Sequence, residues 1–199
     1  MIPIPLVAPL AWLRAGLLLA AGALAFALPA PPAQAQSAPS REYQVKAVFL
    51  FNFLQFVEWP SAAFADDLTP LRIGVLGDDP FGPALDETVQ GETIRNRKLV
   101  IQRSHRAEDL KNCQLIFICK SENRRVPEIL SLLETRPVLT VGEVTGFARQ
   151  GGIIAFYQDG KKVRFEINPA TAQKIGLKLS SQLLGLGRIV GAETAKEGS

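Results

Sequence analysis

Hydrophobic positions follow different rhythms along this chain, and the most informative lies at residues 41–60. From Arg41 to Pro60 the run REYQVKAVFLFNFLQFVEWP places Gln44, Asn52, Gln55 and Glu58 within an arc of roughly 120°, at 100° per residue. Lys46 lies opposite that arc, and most other positions are Val, Leu, Ala, Phe, Tyr or Trp. The pattern predicts an amphipathic helix to about Trp59, stopped by Pro60. Its wet side is so narrow that a core or a partner must cover it.

After a loop rich in Ala and Asp, short apolar runs alternate with helical stretches. Leu71 to Gly77 reads as a buried strand, and Asp78-Asp79-Pro80 as the cap and first turn of a helix through about Val89. Lys98 to Gln102 is a weaker strand. Cys113 to Cys119, CQLIFIC, is apolar enough to be covered on both faces, as central parallel strands are. Ser121-Glu122-Asn123 offers capping side chains for a helix to about Thr135, and Pro137 to Val141 is a further strand closing on Gly142. This order predicts an α/β fold: a single domain with an open, mostly parallel sheet and helices on both faces.

The final third changes rhythm. Gly151 to Tyr157 and Lys162 to Ile167 flank Gln158-Asp159-Gly160-Lys161, a signal for an antiparallel C-terminal hairpin. Val163, Phe165 and Ile167 alternate with Arg164 and Glu166, giving it one dry and one wet face. Asn168-Pro169 opens a helix to about Ile175, stopped by Gly176. Ser180 starts a last apolar helix, SSQLLGLGRIV, weakened by Gly185 and Gly187. The tail, residues 191–199, is polar and expected to fray.

Ahead of this domain, Arg14 precedes the apolar run Ala15 to Leu28, followed by Pro29, Pro31, Pro32 and the small-x-small site Ala33-Gln34-Ala35. At about 14 residues the run falls short of the ~20 that span a membrane. A cleaved secretory signal over residues 1–35 is therefore expected, followed by one domain over 36–190. Setting aside Arg14, 21 basic side chains face 19 acidic ones, interspersed as in Asp66-Asp67 against Arg95, Arg97 and Lys98. Such a mixed surface lacks the concentrated basic stripe that nucleic-acid binding requires.

Catalytic patterns are missing from the sequence: it contains no G-x-S-x-G, no H-E-x-x-H and no phosphate-binding loop. The one imidazole, His105, stands beside Arg103 and Arg106 without an evident partner. A single His and no CxxC argue against a metal site, and no cofactor is expected. Cys113 and Cys119 would stand about 20 Å apart in a strand, far beyond the ~7 Å a disulfide tolerates, so both are expected unpaired. What remains is topological. Open α/β sheets bind ligands beyond the carboxyl ends of their strands, and those ends supply Asp78, Phe81, Ser121, Glu122 and Glu143. A second set, Phe147, Tyr157, Leu183 and Leu184, marks a partner surface if its members lie exposed together.

Four separated stretches carry a resemblance: KAVFLFNFLQFVEWP, LRIGVLGDDPFG, VLTVGEVTGFARQGG and VRFEINPATAQKIGLKLSSQLL. In this order they resemble the YfiR-like family over nearly the whole domain, from about Glu42 to Val190. The resemblance implies a periplasmic α/β protein that represses an inner-membrane diguanylate cyclase by docking on its periplasmic sensory region. It also implies an outer-membrane lipoprotein that sequesters the repressor, and control of cyclic-di-GMP and biofilm formation. Well-known repressors of this type carry more cysteines and structural disulfides, so redox tuning is not carried over here. Three functions are thus on the table: a binding regulator of a membrane sensor, a periplasmic small-molecule-binding module with its site at the strand ends, and an exported enzyme. Homodimerisation is a separate expectation, from surplus apolar residues and family habit.

Overall fold

In the computed structural model, residues 40–191 are described. The expected signal segment, and the tail beyond Gly191, lie outside them. The described residues belong to one compact unit.

The compact unit begins with α1 (Arg41–Phe56), β1 (Val57–Glu58), β2 (Leu71–Leu76) and α2 (Pro83–Val89). It continues through β3 (Thr93–Ile94), β4 (Arg97–Ser104), β5 (Leu115–Ile118), α3 (Val126–Leu133) and β6 (Leu139–Gly142). It closes with β7 (Ile154–Asp159), β8 (Lys162–Ile167), α4 (Pro169–Lys174), β9 (Lys178–Leu179), α5 (Ser181–Leu186) and β10 (Arg188–Ile189). Eight strands form one sheet in the order β10-β8-β7-β6-β5-β2-β4-β3. Its centre is parallel, while β7–β8 and β3–β4 are antiparallel. The predicted mostly parallel sheet with a C-terminal hairpin is thus present. Among the described residues no helix is long and apolar enough to cross a membrane.

Strand alternation divides the core in two. Ile73, Val75, Leu115, Phe117, Leu139 and Val141 face one side, where α1 and α2 lie with Phe53, Leu54, Phe81 and Leu85. Leu76, Ile116 and Ile118 face the other, beneath α3 and the short turn 107–110. On the first side Phe49 and Phe53 of α1 pack against Phe156 and Phe165 of the hairpin, with ring centroids 5.0–5.9 Å apart. At that spacing aromatic pairs contribute beyond area burial alone. The narrow wet side of α1 holds for Gln44 and Gln55, which are exposed, while Asn52 is half-buried.

Local details differ from expectation where several polar residues competed for one role. The first helix stops at Phe56, not near Trp59, because Val57–Glu58 pairs with Lys178–Leu179 as a small separate sheet. Asp78-Asp79-Pro80 does not cap α2. Asp79 accepts a 2.7 Å bond from the Phe81 N–H, and Gly82, at φ +52, leads into Pro83. Ser121-Glu122-Asn123 does not cap an α-helix either, since Lys120–Arg125 is a 3-10 turn and α3 begins at Val126. Asn168 and Ser180 do cap their helices, accepting from the Thr171 and Leu183 N–H groups. The expected last helix is only α5; Gly187 ends it, and Arg188–Ile189 adds to the sheet beside β8.

Candidate functional site

Beyond the carboxyl ends of β2, β5 and β6 the chain collects its carboxylates. Gly77 ends β2 at φ +98, and a Cβ there would collide with Ser121 Oγ and come within 2.9 Å of the Glu122 side chain. That close approach lets the Asp78 N–H donate to Ser121 Oγ at 2.9 Å. Glu122 is buried and held by Arg125, whose Nη1 donates to it at 2.9 Å. Asp78 and His105 lie 3.9 Å apart on the open surface. Asp79 accepts from Arg103 Nε at 2.6 Å, and Arg103 also grips Asp86. Asp78, Ser121 and Glu122 therefore do come together.

The other end of the cluster is sealed. Phe81 is fully buried, edge-on to Phe117 at 4.8 Å and to Tyr43 at 5.6 Å. Glu143, just past β6, is met by Lys46 Nζ at 2.5 Å and accepts the Tyr43 hydroxyl at 3.1 Å. Lys46 also contacts Glu42 at 2.5 Å and lies 4.5 Å above the Tyr43 ring. The side chains of Lys46 and Glu143 are 4% and 3% exposed, so this is a buried ion pair. The first turns of α1 thus lie over the strand ends and fill the place where a small ligand would sit.

The electrostatics follow from burial beside carboxylates. Burial raises the Tyr43 hydroxyl far above its ordinary range, and Glu143 adds to the effect. Burial likewise pushes up the Cys119 thiol, with Glu143, Asp79 and Glu122 reinforcing it. Cys113, also buried, is raised by burial to about 11. Both thiols are unbridged, and neither has the lowered value of a reactive cysteine. For Glu42, burial acts to raise the carboxyl, but the hydrogen bond and charge of Lys46 outweigh it and the net direction is down. No group of three or more His, Cys, Asp or Glu among the described residues is arranged to hold a metal ion. The cluster's chemistry is that of a latch, in which carboxylates and cations neutralise each other and hold a helix down.

The apolar candidates separate. Phe147 and Leu183 are buried core residues, so they present nothing to a partner. Phe147 fills the space left by Gly142 and Gly152; a Cβ on Gly142 would lie 2.7 Å from its ring. Tyr157 and Leu184 are half-buried, with the Arg188 guanidinium 4.9 Å over the Tyr157 ring. The large apolar residues exposed near this end are Leu186 and Ile189. Sequence reasoning missed Tyr43 and Lys46 as site residues. The signal was present: a lysine on the dry side of a greasy helix requires a buried anion.

Among solved structures the fold resembles a conserved domain protein from Vibrio cholerae, at TM-score 0.51 and 12% identity over 74% of this chain. This chain spans 59% of the length of that one, and the likeness shows the fold alone. A looser match, at TM-score 0.48 and 11% identity, is the ABC domain in complex with L-Trp from Streptococcus pneumoniae; it covers 74% of this chain and 62% of that one. No curated protein matches the chain. The profile of a protein family does, from Tyr43 at the Glu143 contact through Arg188 in β10. The chain belongs to the YfiR/HmsC-like family, with residues 43–188 matched.

Proposed function

We propose that this protein is a periplasmic repressor that docks on the periplasmic sensory region of an inner-membrane diguanylate cyclase. Residues 1–35 act as its cleaved export signal, and residues 36–190 as the regulatory domain. The observation that carries the reading is the family match across residues 43–188, nearly the whole described domain. YfiR-like proteins are periplasmic regulators of diguanylate cyclase signalling. The site geometry supports binding over chemistry, because the buried cation, Lys46, is already spent on Glu143 and Glu42.

Such a protein acts by preferring one state of its receptor. Swinging a two-state receptor from 1:99 to 99:1 needs about 5.5 kcal/mol of differential affinity, within reach of an ordinary interface. An outer-membrane lipoprotein that sequesters the repressor would release the cyclase by mass action. Deleting the gene should raise cytoplasmic cyclic-di-GMP and biofilm, and supplying the exported protein in trans should reverse both. An unchanged cyclic-di-GMP level in the deletion strain would remove the cyclase from the reading.

A further inference from the structure

One margin of the sheet is left without a neighbour. β3 pairs with β4 only at Thr93–Lys98 and Ile94–Arg97. Immediately before it the chain turns away through Gly91, at φ +77, into the end of α2. From Leu99 to Ser104, β4 therefore has β2 on one side and, among the described residues, no strand on the other. The Ser104 carbonyl accepts from the Gly77 N–H, so it faces β2. By the alternation of a strand, Gln102 and Val100 turn the same way, while Leu99, Ile101 and Arg103 turn their N–H and C=O outward.

The lane that β3 vacates is a groove of about 690 Å³, lined by Val89, Glu92, Thr93, Lys98, Leu99 and Ile101 among others. Unpaired main chain beside apolar side chains is the arrangement that accepts an added strand. Val100, at the middle of this edge, is an exposed large hydrophobic residue.

We propose that the outer edge of β4, from Leu99 to Ser104, is a docking site for an extended segment of a partner protein, which adds to the sheet as a further strand. A second copy fits poorly. Paired about Ile101 it brings Leu99 opposite Arg103, and Ser104 opposite the second copy's Lys98, where that copy's own Thr93 already fills the place.

Charge selects the partner further. Lys98 is exposed, and among the described residues it has no carboxylate partner; Arg103 is already held by Asp79 and Asp86. The incoming segment thus carries apolar side chains towards Leu99 and Ile101 and a carboxylate on the face it shares with Lys98. The inference goes beyond the repressor reading and does not require the cyclase.

The test uses the isotope-labelled protein and the synthetic peptide acetyl-TVEVTV-amide, followed by amide hydrogen exchange and chemical shifts. The peptide should slow exchange at Leu99, Ile101 and Arg103 and leave the amides of β8 unchanged. Ile101→Pro removes one outward donor at a position where an edge tolerates proline, and should weaken binding about tenfold. Lys98→Glu should weaken it up to about fivefold, and a lysine-for-glutamate peptide should restore binding to that variant. Val100→Lys, which guards the edge without altering backbone geometry, should also reduce binding if Ile101→Pro fails to fold. No slowing at the three amides at millimolar peptide, or equal binding by all variants, overturns the proposal. So does a concentration-dependent dimer that Val100→Lys abolishes, which would assign the edge to a second copy. Cyclic-di-GMP plays no part in these measurements, so failure here and failure of the repressor reading are separable.

Discussion

Replacing Lys46 by Met tests the latch directly, because Met keeps most of the side-chain volume and removes the charge. Glu143, 3% exposed at its side chain, would then face only the Tyr43 hydroxyl, 3.1 Å away. Removing one partner of a buried pair typically costs about 3–5 kcal/mol. The expected loss is therefore about 3–5 kcal/mol, because the Glu143 carboxylate would stay buried with its cation gone. Urea unfolding followed by circular dichroism measures it. The double variant Lys46→Met, Glu143→Gln keeps an acceptor for Tyr43 and removes the unpaired charge, so it should recover more than half of that loss. A loss below about 1 kcal/mol in the single variant, or no recovery in the double one, refutes the latch.

Further outcomes follow from the same geometry. Gly77→Ala forces a side chain into φ +98 and against Ser121, and should cost about 2 kcal/mol or more. Gly160→Ala, at φ +59 with open space around it, should cost about 1 kcal/mol, and equal losses on thermal melting would contradict the close-approach argument. Cys113, raised by burial to about 11 from 9.0, contributes stability that is full below pH 9 and fades as pH rises through 11. Cys113→Ala should flatten that alkaline decline by on the order of 2–3 kcal/mol in unfolding experiments from pH 8 to 11. Gly152→Ala pushes into the Phe147 ring and should destabilise by about 1–3 kcal/mol. Adding Phe147→Leu should lessen the Gly152→Ala loss, and strict additivity of the two would show that the ring is not what the glycine accommodates.

What could be read from the residues depended on how many of them shared one signal. β5 was legible because LIFI is uniformly apolar, and it is buried throughout. Asn168 was legible as a helix start because it stands alone before Pro169, and Ser180 because an apolar run follows it closely. Asp78-Asp79 and Ser121-Glu122-Asn123 were not, because adjacent polar side chains offer several local bonds and tertiary partners chose among them: Ser121 bonds to Asp78, and Glu122 to Arg125. The two-residue strands β1, β3, β9 and β10 carry too few positions to show a period. The strand-end cluster was visible as Asp78, Ser121, Glu122 and Glu143. Its closure was not, because the distance from Lys46 to Glu143 spans 97 residues of sequence.

The packing of Phe49 and Phe53 on Phe156 and Phe165 has a consequence for how the molecule is born. A chain that emerges amino end first presents its most aromatic helix long before the hairpin that shelters it exists. Throughout that interval the aromatic stripe is bare, and the nascent protein depends on whatever holds such surfaces apart. Truncating the last strands should therefore leave a sticky fragment rather than a smaller stable fold, and a holding chaperone should matter more for this polypeptide than its size alone would suggest.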